Sequence, residues 1–190
     1  MIYQEKIFTK EECDLIISYA NPEMDIKKYF NFTETVTAKL DNNKLKMGFK
    51  TSYNVFVLLN DETNKWFFDK LTNWFEKTSN IKLNNENKIS YCTLHRYDIG
   101  DRFVKHVDIT EGFERRRYNI GIQLNDNYEG GEYVIWDDNE NEIIISKETG
   151  TALAYHGRLF HEINKITEGE RWSIVMPLND FNIIEKKSLL

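Results

Sequence analysis

Between residues 89 and 178 the chain is cut into short, β-rich segments by turn chemistry, and this pattern limits its fold more than any other feature. ISYCTLHRY, RFVKHVDI, YNIGIQLN, GEYVIWD, EIIISK, ALAYH, LFHEINKI and WSIVMPL each have the length and texture of a strand. DIGD, NDNYEGG, DDNEN, KETG and TEGE separate them. β-Branched and aromatic residues fit a pleated, half-buried surface, whereas Asp, Asn and Gly supply the backbone freedom of tight turns. Eight such strands behind a helical segment predict a mostly β fold with flanking helices. Its core is expected to be a double-stranded β-helix, or jelly roll.

The helical segment opens on Thr9-Lys10-Glu11-Glu12, a capping box. Phe8 and Cys13 can form the hydrophobic staple around it, and Cys13, Ile16, Ile17 and Ala20 make one apolar stripe that Pro22 ends. Cys13 therefore reads as core packing. Residues 51–60 read as a strand and 61–80 as a helix. In that helix Trp66, Phe67, Lys70, Leu71, Trp74 and Phe75 lie broadly on one side, a face suited to packing on a sheet. No repeat, low-complexity tract or linker divides the chain. A single domain over 1–190 is expected, with 1–80 as a helical support region containing a strand and 89–178 as the jelly-roll core.

Composition narrows the function. A chain of 190 residues that is 41% hydrophobic can bury a real core. Its 25 basic and 31 acidic residues give a net charge of −6, which speaks against a nucleic-acid binder that works by neutralising phosphates. Cys13 and Cys92 show no paired spacing, so neither a disulfide framework nor a structural zinc site is expected. The charged start (MIYQEKIFTKEE) lacks the apolar core of a signal peptide. No apolar run approaches the ~20 residues that span a bilayer. The expected setting is reducing and cytoplasmic, without a membrane partner.

His106-Val107-Asp108 carries the first chemical signal. In a strand, residues i and i+2 share a face, so imidazole and carboxylate would project together. With a second histidine from elsewhere they make the facial triad of non-haem Fe(II) oxygenases, which leaves coordination positions open. An H-x-D tripeptide alone is a weak signal. The longer pattern is not: YDIGDRFVKHVD, then LNDNYEGGEYVI, then FHEINKITEGERWSI. Together these stretches resemble the prolyl 4-hydroxylase-like branch of the Fe(II)/2-oxoglutarate dioxygenases, especially its small bacterial and viral members and the PKHD-type hydroxylases.

The resemblance implies Fe(II), 2-oxoglutarate and O2, with ascorbate as a further expected requirement. It implies hydroxylation of an unactivated C–H, with release of succinate and CO2. The substrate expected first is a peptidyl residue such as proline; a free amino acid, another small molecule or a nucleobase stays open. It assigns His106, Asp108 and His161 to the metal. Arg171 lies ten residues beyond His161, placed to grip the far carboxylate of 2-oxoglutarate, and Ser173 shares its face. In such a fold the two strands lie on opposing sheets about 10 Å apart.

Tyr97 matches the family tyrosine near the cosubstrate. Gln123 stands where relatives often carry a tyrosine, and Asn125 shares its face by parity. His156 reads as an auxiliary histidine at a bend, His95 as core or pocket wall, and Gly130-Gly131 as a turn needing unusual backbone angles. Arg115-Arg116-Arg117 follows the metal-binding strand through ITEGFE. It is either a solvated run offset by Glu111 and Glu114 or a border of the substrate entrance suited to an anionic substrate. A non-catalytic binding module, a halogenase and a cupin-like metalloprotein are the rival readings. The intact triad, the carboxylate at Asp108 and the Arg171-Ser173 pair speak against each in turn.

Overall fold

The computed structural model describes residues 1–19, 39–41, 44–47, 50–58, 62–84, 91–109 and 115–184. Strand β1 (Ile2–Lys6) is followed by helix α1 (Lys10–Ser18), then β2 (Lys39–Asp41), β3 (Lys44–Met47) and β4 (Lys50–Leu58). Helix α2 (Lys65–Ser79) and β5 (Lys82–Leu83) come next. The remaining strands are β6 (Tyr91–Tyr97), β7 (Phe103–His106), β8 (Arg116–Gln123), β9 (Glu129–Gly130), β10 (Tyr133–Trp136), β11 (Glu142–Ile144), β12 (Thr151–His156), β13 (His161–Ile163), β14 (Ile166–Glu168), β15 (Arg171–Asn179) and β16 (Ile183–Ile184).

The strands pair in the order β1-β12-β8-β15-β6-β4-β7-β13-β10-β11, with β3 and β2 continuing from β4. Only one pair, Lys50 with Phe103, joins β4 to β7. The path therefore divides there into a large half, β1 to β4, and a small half, β7 to β11. Side-chain alternation shows what each face does. On β12, Ala152 and Ala154 lie in one buried cluster with Phe67, Leu71 and Phe75 of α2, while Leu153 and Tyr155 lie in a second with Tyr133, Ile135 and Ile163 of the small half. The helices cover one face of the large half, and the small half covers the other. This is the expected jelly roll with flanking helices.

The N-terminal cap forms as its sequence dictates. The Glu12 amide donates to Thr9 Oγ1 at 3.2 Å and the Thr9 amide to Glu12 Oε2 at 2.8 Å. Cys13 and Ile16 are fully buried, and burial pushes the Cys13 thiol up to about 12, so it packs rather than reacts. Ala20 and Pro22 lie outside the described residues. In α2 the buried face is Phe67, Phe68, Leu71, Trp74 and Phe75. Phe68 thus joins the expected stripe, while Trp66 and Lys70 sit at its margin, bonded to Tyr19 and Glu12.

Two strand expectations change. The run LFHEINKI is two strands, because the Asn164 amide donates to the Glu132 carbonyl and the chain turns away to pair β14 with β9. β1, absent from the sequence expectation, covers the outer edge of β12. Gly130 and Gly131 have φ of +68° and +64°, and a Cβ on Gly130 would lie 2.2 Å from the backbone carbonyl oxygen of Lys165, which cannot move aside as a side chain could. Among the described residues, no helix is long and apolar enough to cross a membrane.

Candidate active site

His106 is the last residue of β7 and His161 the first of β13, and the two are register partners. Their rings lie 4.1 Å apart, centroid to centroid. Asp108 lies beyond the end of β7, so strand parity does not place it. Its amide instead donates to the Gly157 carbonyl at 3.0 Å, which folds the chain back over the histidines. His106 Nε2 is 3.7 Å from Asp108 Oδ1, and His161 Nε2 is 3.6 Å from Asp108 Oδ2. One ligand atom from each of the three lies within 4.8 Å of the others, a group able to hold one metal ion.

The backbone selects the nitrogen that each histidine offers. His106 Nδ1 lies 2.8 Å from the Val104 carbonyl, and His161 Nδ1 lies 3.0 Å from the Leu159 carbonyl. A carbonyl only accepts, so each Nδ1 carries the proton and each Nε2 keeps its lone pair toward Asp108. Phe103 stacks on His106 at 3.6 Å and holds the ring from behind. Two nitrogens and a carboxylate oxygen make a donor set suited to Fe(II), and three protein ligands do not fill an octahedral coordination sphere.

The opposing wall comes from the large half. Arg171 and Tyr97 are register partners, and Ser173 stands between His95 and Gln123. Arg171 is only 1% exposed. Its Nη1 donates to Ser173 Oγ at 2.9 Å and its Nη2 to Gln123 Oε1 at 2.7 Å, and Nε has no partner among the described residues. The observed partners are thus neutral. A buried guanidinium held this way has no counter-charge among the described residues, and a dianionic ligand would supply one.

Tyr97 lies beside Arg171, whose Cζ is 5.6 Å from the ring centroid. Burial pushes the Tyr97 phenol up, so it stays neutral and can donate. His95 stacks parallel to Tyr97 at 6.1 Å and is buried, as expected of a pocket wall. Asn125 does not reach this group. It lies past the end of β8, where its Oδ1 accepts from the Trp172 amide at 2.7 Å and its Nδ2 donates to the Glu170 carbonyl at 2.7 Å. Parity with Gln123 fails because the strand has ended.

His156 also stands apart from the metal group. Its ring meets Tyr118 edge-on at 5.1 Å, and its Nδ1 accepts from the Arg158 amide at 3.2 Å. Burial, followed by the nearby Arg158 and Arg117 cations, holds its pKa below the usual value.

Several residues of the site were not legible in sequence. Tyr133 spans the two walls, with its ring 6.0 Å from that of His161 and 5.8 Å from Arg171 Cζ. Its hydroxyl is hydrogen-bonded to that of Tyr155 at 2.5 Å. Asn119 Nδ2 donates to Asp108 Oδ2. Arg116 Nη1 lies 3.2 Å from Asp108 Oδ1. The arginine run is therefore not one patch: Arg116 turns to the metal group, Arg117 pairs with Asp180, and Arg115 is exposed. Glu111 and Glu114, the expected counter-charges, lie outside the described residues.

Comparison with known proteins gives consistent results. The 2OG-Fe(II) oxygenase superfamily profile matches residues 92–177. A PKHD-type hydroxylase of Methylobacterium nodulans is 34% identical over 89 residues, covering 42% of this chain and 39% of that protein. The match thus spans about two-fifths of the length of that relative. In structure, a prolyl-4-hydroxylase from Pseudomonas putida superposes with a TM-score of 0.63 at 16% identity, covering 94% of this chain and 91% of the other. A Trichoplax adhaerens prolyl hydroxylase, solved with a peptide fragment of the hypoxia-inducible factor oxygen degradation domain, gives a TM-score of 0.64 at 13% identity. It covers 95% of this chain and 83% of that one, and both likenesses concern the fold.

Proposed function

We propose that the chain, whose residues 92–177 match the 2OG-Fe(II) oxygenase superfamily profile, is an Fe(II)- and 2-oxoglutarate-dependent hydroxylase. Its substrate in this reading is an unactivated C–H of a peptidyl residue, proline first, and its by-products are succinate and CO2. One observation carries the reading. A three-ligand metal group on the small half faces a buried guanidinium with only neutral observed partners on the large half.

His106, Asp108 and His161 would hold the iron, which when bound supplies the activation of O2. Arg171 would grip the far carboxylate of 2-oxoglutarate bidentately, as only a planar, permanently charged fork can. Ser173 and Gln123 hold that guanidinium in place from one edge and leave its Nε edge for the ligand. The Gln123 amide is also a donor that could reach the same carboxylate. Tyr97 and Tyr133 form the walls between the two ends, and the neutral phenols exclude water without adding charge. An anionic group on the substrate would meet the arginine run through exposed Arg115 and Arg117, because Arg116 is turned to Asp108.

The peptide reading rests on the names of the relatives and on the peptide bound to the Trichoplax neighbour. It is tested by measuring succinate with Fe(II), ascorbate and 2-oxoglutarate against proline peptides, free amino acids and oligonucleotides. Stimulation by a proline peptide is expected. Stimulation by a free amino acid alone would replace the peptide substrate, and absence of any Fe(II)-dependent succinate would sink the enzyme assignment.

A further inference from the structure

We propose that Arg116 is a positioning residue for the metal-binding carboxylate, delivered to it by a β-bulge. The inference rests on the reading that His106, Asp108 and His161 hold the metal. Along β15, Leu178 pairs with Tyr118 but the next residue, Asn179, pairs with Arg116. Arg117 is therefore an extra residue on β8, lying between two successive register pairs with β15. In a regular strand Arg116 and Asn119, three positions apart, would point to opposite faces. The extra residue reverses the alternation and aims Arg116 to the same side as Asn119. Both then reach Asp108: Arg116 Nη1 at 3.2 Å from Oδ1, and Asn119 Nδ2 on Oδ2.

Each Asp108 oxygen thus has its own partner on the large half and its own histidine on the small half. Held at both ends, the carboxylate is fixed in rotation about its Cβ–Cγ bond. The guanidinium also withdraws part of its charge. The clamp keeps the carboxylate that would serve as third ligand in a fixed orientation.

The test is Mn(II) binding to the chain of residues 1–190, followed by the loss of the free-ion EPR signal, with Mn(II) standing in for Fe(II). Removing a hydrogen-bond partner of a metal ligand costs about 10–100-fold in affinity or activity. Arg116→Met is expected to weaken Mn(II) by about that factor. Arg116→Lys, which keeps the charge but not the fork, should recover part of it, and Arg158→Met, at an exposed arginine paired with Asp138, should leave Mn(II) affinity unchanged. Because Arg116 and Asn119 act on one carboxylate, the double variant Arg116→Met/Asn119→Ala should lose less than the sum of the single losses.

Circular dichroism melts without metal establish that each variant is folded, and Arg116→Lys serves if Arg116→Met is not. A folded Arg116 variant with wild-type Mn(II) affinity, alongside Asp108→Ala that has lost binding, overturns the clamp alone. Retention of Mn(II) by Asp108→Ala overturns the metal assignment, and the clamp with it.

Discussion

Arg171 pairs with Ser173 and Gln123 at 2.9 and 2.7 Å while 1% exposed, and this contrast between charge and surroundings defines its role. A charge-assisted hydrogen bond contributes about 1.5–3 kcal/mol, so losing one weakens a ligand roughly 10–100-fold. Arg171→Lys is expected to raise the KM for 2-oxoglutarate by that order while leaving Mn(II) affinity unchanged. Equal losses of both, measured by turnover and by EPR, would count against the clamp. His156 makes the opposite case. Its pKa is lowered by burial and by Arg158 and Arg117, so the unfolded chain takes up a proton more readily than the folded one. Its contribution to stability is complete above the ordinary histidine pKa and is lost as pH falls through the lowered value. His156→Ala should flatten the pH dependence of urea unfolding on the acid side of about pH 6.5 and leave Mn(II) bound. Loss of the metal in His156→Ala would reopen the choice of ligand.

Within single elements, local chemistry explains most of what forms. The Thr9–Glu12 box closes both of its hydrogen bonds, and replacing such a cap by Ala costs about 1 kcal/mol. Thr9→Ala should lower the urea midpoint by that equivalent without altering metal binding; an unchanged midpoint would mean that packing of Cys13 and Ile16 alone holds α1. The same locality marks where sequence could be read and where it could not. His106, Asp108 and His161 lie together, as do Arg171, Ser173 and Gln123, and sequence could name them because they fall in motifs that resemble a family pattern. Asn125 was misplaced because parity was carried past the end of β8. Arg116 and Asn119 were unreadable because a single inserted residue, Arg117, reverses the alternation, and nothing in Arg-Arg-Arg says which one bulges. Tyr133 and Tyr155 look in sequence like any aromatic on a buried strand. Only the meeting of two strands distant in sequence shows that their hydroxyls pair beside His161.

For the molecule as a whole, the two clusters of buried side chains divide the labour. One, between the helices and the large half, gives the sheet its rigidity; the other, between the halves, contains the site. Backbone pairing between β4 and β7 is a single bridge at Lys50 and Phe103. The proposed metal ligands stand on one side of that seam and the guanidinium on the other, so a cosubstrate bound as proposed would act as a rivet through two plates. Whatever binds only the closed arrangement stabilises it by mass action, about 2.7 kcal/mol at a hundred times Kd. For a chain of this size that corresponds to roughly 5–10 °C of melting temperature. Scanning calorimetry should therefore show 2-oxoglutarate raising Tm only when Mn(II) is present, and much less in Arg171→Lys. A dianion that raised Tm equally without metal would be held at one plate only, and the seam would then close by packing alone.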